Sequence, residues 1–232
     1  NLNFTAGRAA LEASMRIGGV GTVLSATVMR EKVPGFPWPE RTLDLKSEIE
    51  AAGGKRAMVP WMLAALLLPN QWCAGLLGLP REGDGEEAGL LFTSGSSGEP
   101  KGVVLTHRNI LNNGRFVGEA IGLTPADRIC IPVPLYHCFG MVLGVLTCTA
   151  AGAAMVFPGE GFDAAATLKA VLKQRCTALH GVPTTFVSML AEPGVANMDF
   201  SLLRTGIMAG APCPVETMQA VMRTLNMKQI TI

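Results

Sequence analysis

Between two apolar segments the chain carries a ten-residue run that neither a helix nor a continuous strand accommodates. Leu90, Leu91 and Phe92 lead into Thr93-Ser94-Gly95-Ser96-Ser97-Gly98-Glu99-Pro100-Lys101-Gly102, and Val103, Val104 and Leu105 follow. One strand must break into a glycine-rich loop there and a second strand must leave it. Gly95 and Gly98 tolerate positive φ and keep backbone N–H groups free, while Thr93, Ser94, Ser96 and Ser97 add four hydroxyls. Lys101 brings a compact charge on a flexible stem. Together these groups suit a polyphosphate, whose oxygens need many donors at once. A flexible Gly/Ser linker is the plain alternative, but linkers do not normally sit between apolar strands or end in Pro-Lys-Gly. Nor is this a Walker A loop. Gly95 and Gly98 are separated by two residues, Lys101 is followed by Gly102, and a strand comes next where that motif requires a helix.

Around this loop, segments of strand and helix character alternate. The spacing predicts a helix over residues 5–17, a strand over 20–26, and a short helix capped by Asp44 and ended by Gly53-Gly54. A charged loop over 81–87 is the only candidate boundary, and it is not expected to separate domains. Helical character resumes over 109–121. A strand at 153–157 follows, then a helix capped by Asp163 with Leu168, Val171 and Leu172 on its buried face. Further strands are expected at 177–180, 205–208 and from 229, with helices opening at Pro183 and Pro214. This alternation at βαβ length predicts an α/β fold of largely parallel sheets covered by helices.

Composition removes several classes. Nineteen basic and 18 acidic residues leave a net charge of +1 with no basic stripe, so no nucleic-acid partner is expected. With 49% hydrophobic and 16% charged residues the chain is not disordered. Six scattered cysteines without zinc spacing read as buried, reduced thiols of a cytoplasmic protein. Residues 139–157 carry no charge over 19 positions, but three glycines and a strand-like end favour a buried helix followed by a buried strand over a membrane span. For residues 57–79 core packing is the favoured reading. An interfacial patch anchored by Trp61 and Trp72 is the alternative.

The run Thr-Ser-Gly-Ser-Ser-Gly-x-Pro-Lys-Gly, continued by Val-Val-Leu-Thr-His-Arg-Asn, closely resembles the phosphate loop of the adenylate-forming (AMP-binding) superfamily. Pro134-Leu135-Tyr136-His137-Cys138-Phe139-Gly140 resembles that family's next motif, Gly181-Val182-Pro183-Thr184 its acyl-pocket segment, and Ala209-Gly210-Ala211-Pro212 its adenine-contacting turn. Residues after about 112 look most like medium-chain fatty acyl-CoA synthetases. The first hundred look more like acyl-acyl-carrier-protein synthetases, some of which are fused to a membrane acyltransferase.

The resemblance implies ATP-dependent activation of a medium- or long-chain fatty acid to acyl-AMP. Transfer to a thiol follows, with coenzyme A favoured over acyl carrier protein. It implies that Thr93, Ser94, Gly95, Ser96, Ser97, Gly98 and Lys101 grip the β- and γ-phosphates and that Thr93 also ligates Mg²⁺. Gly210, Ala211 and Pro212 would receive the adenine, and Val182, Pro183, Thr184 and Met208 would wall the acyl tunnel, against a plain alternative of core packing. His137, whose ordinary reading is a buried neutral core histidine, would stand near the incoming carboxylate and donate a hydrogen bond from a neutral ring. His107 and His180 have no comparable claim. The family's Tyr-Gly-x-Thr-Glu motif, ribose-binding Asp, hinge and lid domain with its catalytic Lys are expected beyond Ile232, and the start of the large domain before Asn1. Residues 1–232 are thus expected to be an internal part of the adenylation domain, inactive alone. Peripheral membrane contact and a non-catalytic fragment are the alternatives.

Overall fold

The computed structural model describes residues 2, 6–79, 83–93 and 100–232, the side chain of Asn70 excepted. These fall into two compact units, residues 1–107 and 108–232. The division lies after His107 and not in the charged segment at 81–87, of which residues 81 and 82 are outside the described residues.

In the first unit, α1 (Arg8–Ile17), β1 (Thr22–Ser25), α2 (Thr27–Lys32), β2 (Arg41–Asp44), α3 (Leu45–Ala51), α4 (Gly54–Leu67) and α5 (Asn70–Leu76) precede the hairpin strands β3 (Glu87–Thr93) and β4 (Lys101–Thr106). β1 and β2 pair in parallel and β3 and β4 antiparallel. Asp44 caps α3 as expected. Its carboxylate accepts from Ser47 N at 2.9 Å and from Thr27 N at 2.6 Å, and these bonds, with the Thr27 hydroxyl foremost, hold its pKa well below the usual carboxylate range. Gly53, at φ 100°, makes the bend into α4.

The expectation of core packing for residues 57–79 is overturned. Trp61, Met62, Leu66 and Leu67 on α4 and Trp72 on α5 are exposed, Leu66 by 80% and Trp72 by 66%. Apolar side chains surround α4 on every side, so no single stripe can be buried while another faces water. Pro60 inside the helix also lacks an amide donor for the ladder.

The second unit is a five-stranded, wholly parallel sheet in the order β6-β5-β7-β8-β9, built from β5 (Arg128–Cys130), β6 (Ala154–Val156), β7 (Ala178–Leu179), β8 (Thr205–Ile207) and β9 (Gln229–Thr231). Helices α6 (His107–Ala120), α7 (Thr147–Ala151), α8 (Ala164–Lys173), α9 (Pro183–Leu190) and α10 (Val215–Thr224) flank it, with a π-helix at Phe139–Leu146. Side chains alternate between the sheet's two faces. Ile129, Ile131, Ala178 and Ile207 join one core with Ile121, Phe139 and Cys148. Cys130, Leu179 and Met208 join another with Leu168, Phe186, Val221 and Leu225. Coverage on both faces explains why these strands read as short continuous apolar runs.

Local chemistry sets the helix boundaries. Asp163 accepts from Ala166 N at 2.6 Å and starts α8, whose buried Ala164, Thr167, Leu168 and Val171 recur at helical spacing. Pro183 occupies the first turn of α9. The uncharged stretch 139–157 is a helix followed by a strand, as expected, but its first half is wound as a π-helix. All six cysteines carry free thiols. Cys130, Cys148 and Cys176 are buried as expected, whereas Cys138 is exposed and Cys73 and Cys213 are half-buried, a correction to the uniform burial read from sequence.

At the amino ends of the strands sits a polar clamp that sequence reasoning missed. The Asp127 carboxylate, 6% exposed, accepts from Thr177 Oγ1 at 2.7 Å, Thr124 N at 2.8 Å and Arg204 Nη2 at 2.9 Å. Burial alone would raise its pKa, but these bonds outweigh burial and hold it below the ordinary value. The clamp joins the entrances to β5, β7 and β8 across 50 and 77 residues of chain, separations no local pattern reveals.

Candidate active site

In an open parallel sheet, ligands bind beyond the strand carboxyl ends, where successive connections leave in opposite directions. Here that point lies between β5 and β7. The chain leaves β5 for β6 on one side and returns to β7 on the other. The residues that follow β5, β7 and β8 carry three of the four motif segments.

After β5, residues 131–138 lead to the π-helix. His137 is exposed, not the buried core histidine of the ordinary reading. Its Nδ1 accepts the Phe139 backbone N–H at 3.1 Å, so in the neutral ring the proton resides on Nε2, which keeps a donor for an incoming oxygen. The turn is tight. A Cβ on Gly140 would stand 2.3 Å from the Pro134 carbonyl oxygen, so only glycine fits there.

After β7, Gly181 bridges to β8. Its N–H donates to Ile207 O at 3.0 Å and its carbonyl accepts from Ala209 N at 3.2 Å. Val182 is half-buried, Pro183 buried and Thr184 exposed. After β8, Gly210 takes φ 88°, and a Cβ there would lie 3.2 Å from Val182 Cγ1. The expected acyl-pocket and adenine segments are thus in contact, and Gly210, Ala211 and Pro212 are exposed beside Val182. Met208 does not join this surface. It is fully buried among Phe186, Leu179 and Met227 and supports the site from behind.

In the first unit, Thr93 and Lys101 are cross-strand partners at the neck of the β3–β4 hairpin, and both are exposed. The two strands expected on either side of the loop are therefore present. Ser94, Gly95, Ser96, Ser97 and Gly98 lie outside the described residues. The donor set at the neck fits a metal-bound polyphosphate. A hard cation such as Mg²⁺ takes one or two protein oxygens plus phosphate oxygens and water, which the Thr93 hydroxyl matches, and Lys101 supplies a counter-charge.

The residue that sequence reasoning passed over is His180. It is wholly buried between the motif segments. Its Nδ1 accepts from Ile207 N at 3.2 Å and its Nε2 contacts the Leu143 carbonyl at 3.0 Å. An amide can only donate and a carbonyl only accept, so the partners fix the neutral tautomer with the proton on Nε2. Burial pushes the pKa down to about 4, with the Leu143 carbonyl pulling the other way. Its position one residue before Gly181 was the available signal, but partners 37 and 27 residues away were not legible.

This shift has a sign that can be checked. Between pH 6.5 and 4 the unfolded chain binds a proton at His180 that the folded chain refuses, so stability must fall as pH falls through that window. A separation of that size corresponds to about 3 kcal/mol. Below it the Asp127 contribution, present at higher pH, is lost as its carboxylate protonates. Urea midpoints measured from pH 7.5 to 4.5 should drop, and His180→Gln should flatten that dependence.

The chain resembles known proteins along most of its length. The family model described as AMP-binding enzyme matches residues 43–232. Acyl-CoA ligase sidI of Aspergillus fumigatus is 51% identical over 142 residues, 61% of this chain and 24% of that ligase. Medium-chain acyl-CoA ligase ACSF2, mitochondrial, of Danio rerio is 45% identical over 145 residues, 62% of this chain and 24% of that protein. The chain therefore spans about a quarter of the length of the curated relatives it matches. Among solved structures, ATP-bound MatB from Rhodopseudomonas palustris superposes with a TM-score of 0.70 at 21% identity, over 100% of this chain and 44% of that one. The N-terminal domain of FACL13 from Mycobacterium tuberculosis gives 0.71 at 18% identity, over 97% and 53%. At such identities these two establish the fold alone, an α/β architecture with a parallel sheet flanked by helices. With a family match over residues 43–232 and motifs in the same order, the chain belongs to the AMP-binding enzyme family.

Proposed function

We propose that this chain is the central part of the large domain of an AMP-forming acid–thiol ligase that activates a medium- or long-chain fatty acid and passes the acyl group to coenzyme A. The observation that carries this reading is the contact between Gly210 and Val182 beyond the parallel strands, on the same edge as His137. It gives one surface with an apolar segment, an exposed turn at Gly210 and a hydrogen-bond donor. The names of the relatives, an acyl-CoA ligase and a medium-chain acyl-CoA ligase, support the fatty acid and coenzyme A.

In the first step a carboxylate oxygen attacks the α-phosphorus of ATP, a P–O bond forms, the α–β bridging bond breaks and pyrophosphate leaves. In the second, a thiol sulfur attacks the acyl carbon, AMP departs and the thiol proton is lost. The protein's part is positioning and charge stabilisation. Lys101, with the backbone and hydroxyls of residues 93–98, holds the β- and γ-phosphates. Mg²⁺, when bound beside Thr93, neutralises charge gathering on pyrophosphate. His137 Nε2–H orients the carboxylate without burying a cation. Val182, Pro183 and Thr184 border the acyl chain, and Gly210, Ala211 and Pro212 take the adenine edge.

Fatty-acid-dependent exchange of labelled pyrophosphate into ATP by the full-length protein tests the assignment. Exchange that responds to medium-chain acids supports it. ATP turnover indifferent to carboxylate overturns it. Thioester formation with coenzyme A but not with acyl carrier protein is the expected acceptor result.

One observation favours an added membrane contact. The exposed apolar surface of α4 and α5 carries two tryptophans, with Lys55 and Arg56 at its start and no acidic side chain from Ala51 to Leu79. Among the described residues no helix is long and apolar enough to cross a membrane. The protein should sediment with vesicles containing anionic phospholipid, and Trp61→Ser with Leu66→Ser should release it without altering exchange. Equal recovery of wild type and variant in the supernatant would remove this contact.

A further inference from the structure

We infer that His180 is a positioning residue of the adenylation site, whose imidazole locks the π-helix after His137 onto the strand ends that carry the acyl and adenine segments. The inference rests on the ligase reading above and deepens it.

Three features set His180 apart from an ordinary satisfied core histidine. First, each ring nitrogen is committed to a different segment. Nε2 donates to Leu143 in the π-helix, and Nδ1 accepts from Ile207 on β8. Its own backbone continues into Gly181, which is itself bonded to Ile207 and Ala209. A single side chain therefore ties together the segments behind His137, Val182 and Gly210. Second, the ring packs against Phe139, with centroids 5.9 Å apart, and the Phe139 N–H is the group that holds His137 Nδ1. The path from His180 to the carboxylate-facing imidazole runs through one residue. Third, the surrounding core is Ile129, Ile131, Val133 and Ile207, where an aliphatic side chain would avoid the cost of desolvating an imidazole.

The π-helix explains what the tether does. An i→i+5 helix is wider and less regular than an α-helix and occurs mostly as short insertions at functional sites. Residues 139–146 need something outside the helix to hold them in that winding. Gly140 and Gly144 let the segment press onto Pro134 and Ile131, since a Cβ would lie 2.3 Å and 3.0 Å from them. His180 adds the directional contact that packing lacks. Without it the segment can shift along the sheet edge and carry His137 with it.

The test uses two variants of the full-length ligase that divide the imidazole between them. His180→Gln keeps an N–H donor near the position of Nε2 and loses the acceptor for Ile207. His180→Asn keeps an acceptor near Nδ1 and loses the donor to Leu143. Positioning through the π-helix predicts that Asn lowers kcat for pyrophosphate exchange about 10- to 100-fold, the cost of a displacement on the order of 1 Å. The KM for ATP should change little. Gln should retain most of the rate even though both variants melt earlier. Losses in Asn and Gln that simply follow their melting temperatures, or unchanged kcat in both, overturn the inference. If neither variant is soluble, Phe139→Leu decides. It leaves both imidazole hydrogen bonds and removes the ring contact together with some core packing around Ile129 and Cys148, so a kcat lowered at temperatures where the variant is fully folded supports the tether and an unchanged kcat overturns it. Wild-type protein with no fatty-acid-dependent exchange would instead overturn the ligase reading, and this inference with it.

Discussion

Replacing Lys101 by alanine in the full-length protein is expected to lower fatty-acid-dependent pyrophosphate exchange by about 10²–10³-fold, the usual cost of losing one preorganised electrostatic contact to a charge that develops in the transition state. The Lys101 side chain is exposed at the hairpin neck opposite Thr93, and the β3–β4 ladder runs through backbone groups. Removing the charge should therefore leave the hairpin intact, and surface changes of this kind usually stay within about 0.5 kcal/mol. Rate and stability are expected to separate cleanly, with the melting temperature nearly unchanged while exchange collapses. Lys101→Arg should recover only part of the rate. A planar fork does not replace a compact ammonium reaching between phosphate oxygens, although the charge is kept. Thr93→Ala should weaken the response to Mg²⁺ concentration more than the affinity for fatty acid. Exchange in Lys101→Ala at the wild-type rate would remove the proposed phosphate role of the hairpin.

The parts of this molecule that were legible in its sequence are those decided within a few residues. Asp44 and Asp163 announce helix starts because a carboxylate at that position satisfies free N–H groups one turn on. Pro183 opens α9 for a related reason. Strand and helix alternation was enough to predict the parallel sheet, and the apolar runs beside the loop were enough to predict its two flanking strands, though not their antiparallel pairing. What was not legible depends on partners far along the chain. The π-winding of residues 139–146 leaves no periodic trace in an all-apolar stretch, where apolar residues occupy every face in either winding. His180 looked unremarkable because its role is set by Leu143 and Ile207. The apolar neighbours of His137 offered burial as the ordinary alternative to its expected place beside the carboxylate, and its exposure where the chain leaves the sheet removes that alternative. The apolar stretch at 57–79 misled in the same direction, since hydrophobicity announces what a segment avoids, not what covers it.

Gly206→Ala should be the most damaging single substitution to the fold, and the reason lies at the same sheet edge as the site. Gly206 stands in the middle of β8 at φ 149°, and a Cβ there would fall 1.9 Å from the Leu179 carbonyl oxygen and 2.8 Å from Met227 Cε. The methionine end could move aside, but the carbonyl belongs to β7 and cannot. Strain at such a backbone position costs about 1–3 kcal/mol, and overpacking costs about as much again. Their sum approaches the total stability of an ordinary domain, roughly 5–15 kcal/mol. Gly161→Ala provides the control, because nothing lies within 4 Å of its Cβ position and its φ is unexceptional. That variant should express and melt like wild type, while Gly206→Ala should be insoluble or melt far lower. If Gly206→Ala does fold, it does so by moving β8 away from β7. Such a shift would pull Ile207 and Ala209 away from Gly181, the backbone bonds that align the segments proposed to meet the acyl chain and the adenine. A soluble variant should therefore show impaired exchange, and a soluble variant with wild-type exchange would contradict the tight β7–β8 approach on which the site's geometry depends.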